Sequence, residues 1–167
     1  MTIRQIVKYP DQVLREKAAP VANFDAPLRA LATDLLDTLR SVKGLGITAP
    51  HIGVLQRVVV LELPDAPEPQ TYINPEIIWI SDNTARHEEG SISMSGVSEQ
   101  VERPAQLHVR YQDLDGETHI EAADGFRAAC HQHELDQLNG TFWIQKLSNL
   151  RRNRLIARYE KLQRNRN

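Results

Sequence analysis

Cysteine is nearly absent from this 167-residue chain, long apolar runs are missing, and neither sign of charge prevails. Each absence excludes something. The single Cys130 rules out an internal disulfide framework and suits a reducing compartment. No stretch approaches the ~20 apolar residues that a membrane-spanning helix needs. The first residues, Met1-Thr2-Ile3-Arg4-Gln5-Ile6, reach Tyr9-Pro10-Asp11 without the apolar core of a signal peptide. A cytoplasmic protein with no membrane partner is the expectation. The 20 basic and 22 acidic residues give a formal charge of −2, which leaves no electrostatic ground for a specific nucleic-acid partner. No repeat, low-complexity tract or long linker divides the chain, so residues 1–167 are read as one domain. A chain of this length can bury roughly 70% of the surface its unfolded form exposes.

What is present is punctuated clearly. Leu28, Leu31, Leu35, Leu36 and Leu39 recur at helical spacing, with Asp25 as cap and Pro27 in the first turn, and predict a helix over about Ala26 to Val42. Gly44, Gly46 and Pro50 then favour a loop or strand edge. Arg57 to Leu63 reads as a buried strand through its valine run, and Tyr72 to Ile80 as one or two more, with Pro75 marking an edge or bulge. Ala85 to Glu88, Leu107 to Gln112 and Thr118 to Ala122 are further strands, the last two joined by an Asp115-Gly116 hairpin turn. Gly125 to Asn139 is helical, closed by a left-handed cap at Asn139-Gly140, and a last helix starts near Asn149. Helix, antiparallel strands, then two helices make an α+β chain rather than an alternating one.

The chemistry concentrates at His133-Glu134-Leu135-Asp136-Gln137. Residues four apart share one face of a helix, so a pair of histidines at this spacing can grip one metal ion beside a glutamate base. Here Gln137 holds the second position. An amide oxygen binds Zn²⁺ or Fe²⁺ far less well than imidazole does.

Three segments, in order, carry a family likeness: Gly44-Leu45-Gly46-Ile47-Thr48-Ala49-Pro50-His51-Ile52-Gly53, then Glu89-Gly90-Ser91-Ile92-Ser93, then Gln132-His133-Glu134-Leu135-Asp136-Gln137-Leu138-Asn139-Gly140. Together they resemble peptide deformylase, the hydrolase that removes the formyl group from the N-terminal methionine of new polypeptides. The resemblance implies that family's α+β fold, with short antiparallel sheets packed around a central motif-bearing helix and helices near both chain ends. It also implies a divalent metal, Fe²⁺ or Zn²⁺, held by a cysteine and two histidines. Carried over, those positions are Ser91, His133 and Gln137, so only His133 keeps a ligand of the family's type. A serine hydroxyl lacks both the charge and the softness of a thiolate. With the ligand set degraded, no cofactor is expected to bind firmly, and deformylase activity is expected to be lost or strongly impaired.

Other implied positions remain. Glu134 falls on the family's general base, the backbone N–H of Ile92 on its oxyanion donor, and His51 on a glutamine that hydrogen-bonds the reacting carbonyl. Gly46 falls on a glycine of the first motif, and Glu89 and Arg103 on a supporting ion pair. Without a metal, Glu134 is expected to face bulk-like water. One alternative is an active hydrolase of N-formyl or related amide or ester groups, its metal site rebuilt from His51, His133 and Glu89 or Ser91. Another is a non-catalytic module holding N-terminal peptides of nascent chains, or the ribosome. Cys130 is read as a small packing residue, and His87 and His131 as solvated. Six arginines and one lysine between Arg151 and Arg166 face the single acid Glu160. That helix is read as docking Leu155, Ile156, Tyr159 and Leu162 while its arginines point outward, where they suit phosphate and offer the ribosome contact.

Overall fold

A computed structural model of the chain describes residues 2–166. Its α-helices are Ala26–Ser41 (α1), Gly125–Leu138 (α2) and Asn149–Arg166 (α3). The strands are Gly46–Thr48 (β1), Val58–Leu61 (β2), Gln70–Ile80 (β3), Thr84–Ser91 (β4), Met94–Pro104 (β5), Gln106–Gln112 (β6) and Thr118–Asp124 (β7). Single 3₁₀ turns occur at Gln12–Arg15, Ala49–Ile52 and Trp143–Lys146. The named strands pair antiparallel, five of them in the order β1-β2-β3-β6-β7, while β4 and β5 form a separate hairpin. The expected α+β arrangement is therefore found. Among the described residues, no helix is long and apolar enough to cross a membrane.

Helix α1 starts where its cap predicts: the Asp25 carboxylate accepts the Leu28 N–H at 3.2 Å, and Pro27 sits in the first turn. It buries Leu28, Leu35 and Leu39 against Ile47, Val58 and Val60. All four residues of β2 are buried. In β3, Asn74 adopts a left-handed φ of 50° and Pro75 sits in a register shift, so the proline marks a bulge in an interior strand rather than an edge. The Asn74 side chain fastens this bulge, accepting from Val21 N–H at 2.8 Å and donating to Val21 O at 3.0 Å.

Strand β5 has no sequence-level counterpart in the expectations above. Its inward positions Val97, Glu99, Val101 and Arg103 alternate valine with charged residues, and this conceals the period of two. The charges are tolerated because each is paired: Glu99 with Arg151 at 2.9 Å, and Arg103 with Glu89 and Asp136.

Helix α2 lies between the five-stranded sheet and the β4–β5 hairpin, packing on both. It buries polar residues as well as apolar ones, including His131, Gln132, Glu134 and Gln137. The expected cap closes it, with Gly140 as the left-handed residue at φ 81°. A Cβ there would stand 2.6 Å from the Arg15 carbonyl oxygen, so glycine is needed for space as well as for conformation. Helix α3 docks Leu155 and Tyr159 beside Leu14, Met94, Val101 and Trp143, with Ile156 and Leu162 partly buried alongside. Arg154, Arg158, Arg164 and Arg166 are exposed.

Candidate active site

The segments singled out in the sequence meet at one cavity of about 410 Å³. Strand β1 brings Gly46, the following 3₁₀ turn brings His51, and β4 brings Glu89 and Ser91. Ile92 follows at the β4–β5 turn, and α2 contributes Cys130, His133 and Glu134. Ile6, Val42, Leu45 and Phe126 make the apolar part of the lining. Gln137 lies one turn beyond His133 on α2, buried and outside this lining.

Glu89 is the hub. Its Oε2 accepts from Arg103 Nε at 2.6 Å, and its Oε1 accepts from Arg103 Nη2 at 2.9 Å. Arg103 also donates to Asp136 at 2.8 Å, so the predicted ion pair exists and has a third member. His133 Nδ1 lies 2.9 Å from Glu89 Oε1. A carboxylate can only accept, so Nδ1 carries the hydrogen and Nε2 is left toward Glu134, whose Oε1 is 3.9 Å away. Burial works to raise the Glu89 pKa, but the hydrogen bonds and charges of His133 and Arg103 overcome it and hold the carboxyl down to about 2. Burial works to lower the His133 pKa, and Glu89 with Glu134 outweighs it, so His133 is raised.

His51 has the opposite character. The Thr48 backbone N–H donates to its Nδ1 at 2.9 Å, and the Thr48 hydroxyl lies at the same distance. An amide N–H cannot accept, so Nδ1 is the bare nitrogen and Nε2 bears the hydrogen. Burial, aided by the charge of His133, lowers this ring to about 3, and it stays neutral. Its Nε2 is buried with no hydrogen-bond partner among the described residues, and so is Glu134 Oε2.

These facts correct two expectations and narrow a third. A metal site rebuilt on His51 would need the other tautomer, because the Thr48 N–H engages the lone pair of Nδ1 and Nε2 then carries the hydrogen. Among the described residues, the one close grouping of three such ligand side chains is Asp113, Glu117 and His119, outside this cavity. Glu134 does not face bulk-like water: it is 5% exposed, and burial pushes its carboxyl up to about 7 against the pull of His133. His131 is not solvated. It is 1% exposed, with Nε2 2.5 Å from Glu121 and its ring edge-on to Tyr72, while His87 is half-buried. Cys130 is partly buried beside Leu138 and Tyr72, and burial pushes its thiol up to about 12, which fits packing rather than ligation.

Gly46 allows the close approach its position suggested, since a Cβ there would stand 2.9 Å from Glu134 Oε1. Ser91 Oγ accepts the Ser93 N–H at 3.1 Å. Gln137 Nε2 donates to Leu14 O at 2.8 Å. Two residues that shape this site carry no signal in the sequence. Thr48 sets the tautomer of His51, and Leu14 holds Gln137 from 123 residues away.

Glu134→Gln is expected to gain stability over the parent as pH rises. An unfolded glutamate ionises near 4.5 and Glu134 near 7, so across that window the unfolded chain releases its proton first and the folded state loses ground. The loss amounts to about 3 kcal/mol and is complete above the folded pKa. Urea unfolding at about pH 4 and about pH 8 checks it. A parent-to-variant difference that stays constant with pH would count against the burial argument.

A family profile described as polypeptide deformylase matches residues 3–153. A peptide deformylase-like protein of Brucella melitensis is 62% identical over 164 residues, covering 98% of this chain and 100% of that protein. A peptide deformylase of Phenylobacterium zucineum is 41% identical over 164 residues, covering 96% of this chain and 97% of that one. The crystal structure of a peptide deformylase from Legionella pneumophila superimposes with a TM-score of 0.93 at 34% identity, covering 99% of this chain and 98% of the other.

Proposed function

Because the chain belongs to the peptide deformylase family, we propose that it is a cytoplasmic member that keeps the family's cleft for peptide N-termini while metal-dependent deformylation is lost or strongly impaired. One observation carries this reading: of the three carried-over ligand positions, only His133 presents a nitrogen suited to Fe²⁺ or Zn²⁺. Its Nδ1–H is held by Glu89, the arrangement that aims Nε2 at a metal. Ser91 offers a neutral hydroxyl where the family has a thiolate. Gln137 spends its amide hydrogen on Leu14 O and has no imidazole lone pair to give.

The donor set therefore does not fit the family's divalent ion. Bound in the family's manner, such an ion supplies Lewis acidity and lowers the pKa of its water to about 7. At this site Glu134 has no such acidified water, and its own pKa of about 7 reflects burial. What remains is a cleft with a neutral donor at His51, a carboxyl at Glu134 and an apolar lining.

Purification without chelator, followed by metal analysis and a formyl-methionyl peptide assay with added Fe²⁺, Ni²⁺, Co²⁺ or Zn²⁺, tests this. Sub-stoichiometric metal and turnover at background are expected. One metal per chain together with metal-dependent turnover would overturn the reading.

A further inference from the structure

We propose that Ser91, His133 and Glu89 form a metal-independent nucleophile, base and orienting carboxylate for acyl transfer from small carboxylic esters. The inference rests on the reading that the family's metal is not held here, since a metal on His133 Nε2 would remove the base.

The geometry is that of a nucleophilic triad in three of its requirements. First, the base is oriented: Glu89 Oε1 accepts from His133 Nδ1 at 2.9 Å, and Glu89 is itself fixed by two bonds from Arg103. Second, the nucleophile is placed: Ser91 stands two residues after Glu89 on β4, and both line the cavity with His133. Its Oγ accepts the Ser93 N–H, which leaves the hydroxyl hydrogen free to be donated. Third, an oxyanion donor is waiting. His51 Nε2–H is buried without a partner among the described residues, its tautomer set by Thr48, and the ring lines the same cavity. Among the described residues Ser91 Oγ and His133 Nε2 share no hydrogen bond, so that bond must form on substrate binding, as catalytic bonds often tighten only then. The cavity of about 410 Å³, with Val42, Leu45 and Phe126 in its lining, suits a short apolar acyl group.

The step balances with water as the only co-reactant. Ser91 Oγ bonds to the acyl carbon while its proton passes to His133 Nε2, and the carbonyl π pair moves onto the oxygen that His51 meets. Collapse restores the C=O bond and breaks the C–O bond to the alcohol, which takes the proton from His133. Water then repeats the sequence on acyl-Ser91, releasing the acid and restoring the hydroxyl. Glu89 and Arg103 are positioning residues in this scheme.

The test uses the full chain in EDTA at about pH 8, with an alkyl fluorophosphonate as probe and p-nitrophenyl butyrate as substrate. The expected result is one phosphonyl adduct mapped to Ser91, with ester hydrolysis that resists the chelator. Ser91→Ala should abolish both, and His133→Ala should slow labelling by about 100-fold or more. Glu89→Gln should lower kcat per folded molecule with KM unchanged, a split that a purely structural role does not produce. No adduct on the folded parent, an adduct at another residue, or labelling unchanged in Ser91→Ala would overturn the triad. EDTA-sensitive turnover of a formyl-methionyl peptide overturns the metal-free reading itself, so the two failures are told apart.

Discussion

The double variant Ser91→Cys with Gln137→His is expected to bind one Fe²⁺ or Zn²⁺ per chain and to hydrolyse a formyl-methionyl peptide about 100-fold or more faster than the parent. The thiolate returns charge and softness at the cavity. The imidazole can take over the present bond of Gln137 by giving its Nδ1–H to Leu14 O, as a ligand histidine commonly does to a carbonyl, and thereby turn Nε2 inward. His133 needs no change, because Glu89 already holds it in the tautomer a metal requires. A Lewis acid stabilises the transition state by several kcal/mol, and each 1.36 kcal/mol is tenfold in rate. Each single variant should gain far less, since two protein ligands without the third form a poor site. Metal analysis and the peptide assay on all four proteins provide the check. If the double variant binds metal and stays silent, His51 in place of the family's glutamine is the defect. If it fails to bind at all, the argument from Ser91 and Gln137 is wrong.

Arg103→Ala is expected to destabilise the fold by about 3–5 kcal/mol, the range for removing one member of a buried ion pair. Arg103 is 5% exposed and lies between Glu89, which is buried, and Asp136, which is partly so. Its loss leaves Glu89 with only the His133 hydrogen bond and Asp136 with only Lys146 at 3.7 Å, and removes the side-chain tie from β5 to β4 and α2. Unfolding in urea, with the slope unchanged and the midpoint lowered, is the expected signature. Adding Glu89→Gln to Arg103→Ala should restore part of the loss, because one stranded charge disappears. Costs that simply add would show that the two residues act independently, contrary to the bidentate geometry.

The chain announced some of this and concealed the rest for identifiable reasons. Helices α1 and α2 were legible because their punctuation is local: Asp25 and Pro27 open the first, and Gly140 closes the second. The hairpin between β6 and β7 was legible through Asp115-Gly116, where Gly116 takes φ 85°. Strand β5 was hidden because charged residues occupy inward positions that only their partners on β4, α2 and α3 make tolerable. The burial of Glu134 and His131 was hidden for a related reason. Helix α2 is covered on both sides, so its polar positions do not mark a solvent face. The cavity residues were visible as motifs, but tautomers were not, since His51 depends on Thr48 and His133 on Glu89. Those two hydrogen bonds decide which nitrogen faces the cavity, and they separate a metal ligand from a proton carrier.

The bond from Gln137 to Leu14 O joins residues 123 apart, and the Ala18 N–H likewise waits for the carbonyl of Leu138. At about 5–20 residues per second, the early segment is synthesised roughly 6–25 s before its partner helix exists. Val7, Tyr9, Val13 and Leu14 pack into one core cluster in the finished protein, and during that interval only its earlier members Met94, Val97 and Val101 are available to them, while Phe142, Trp143 and Tyr159 are still to come. Birth order therefore works against this protein's first segment, and the cleft takes shape only when the late helix arrives to receive it.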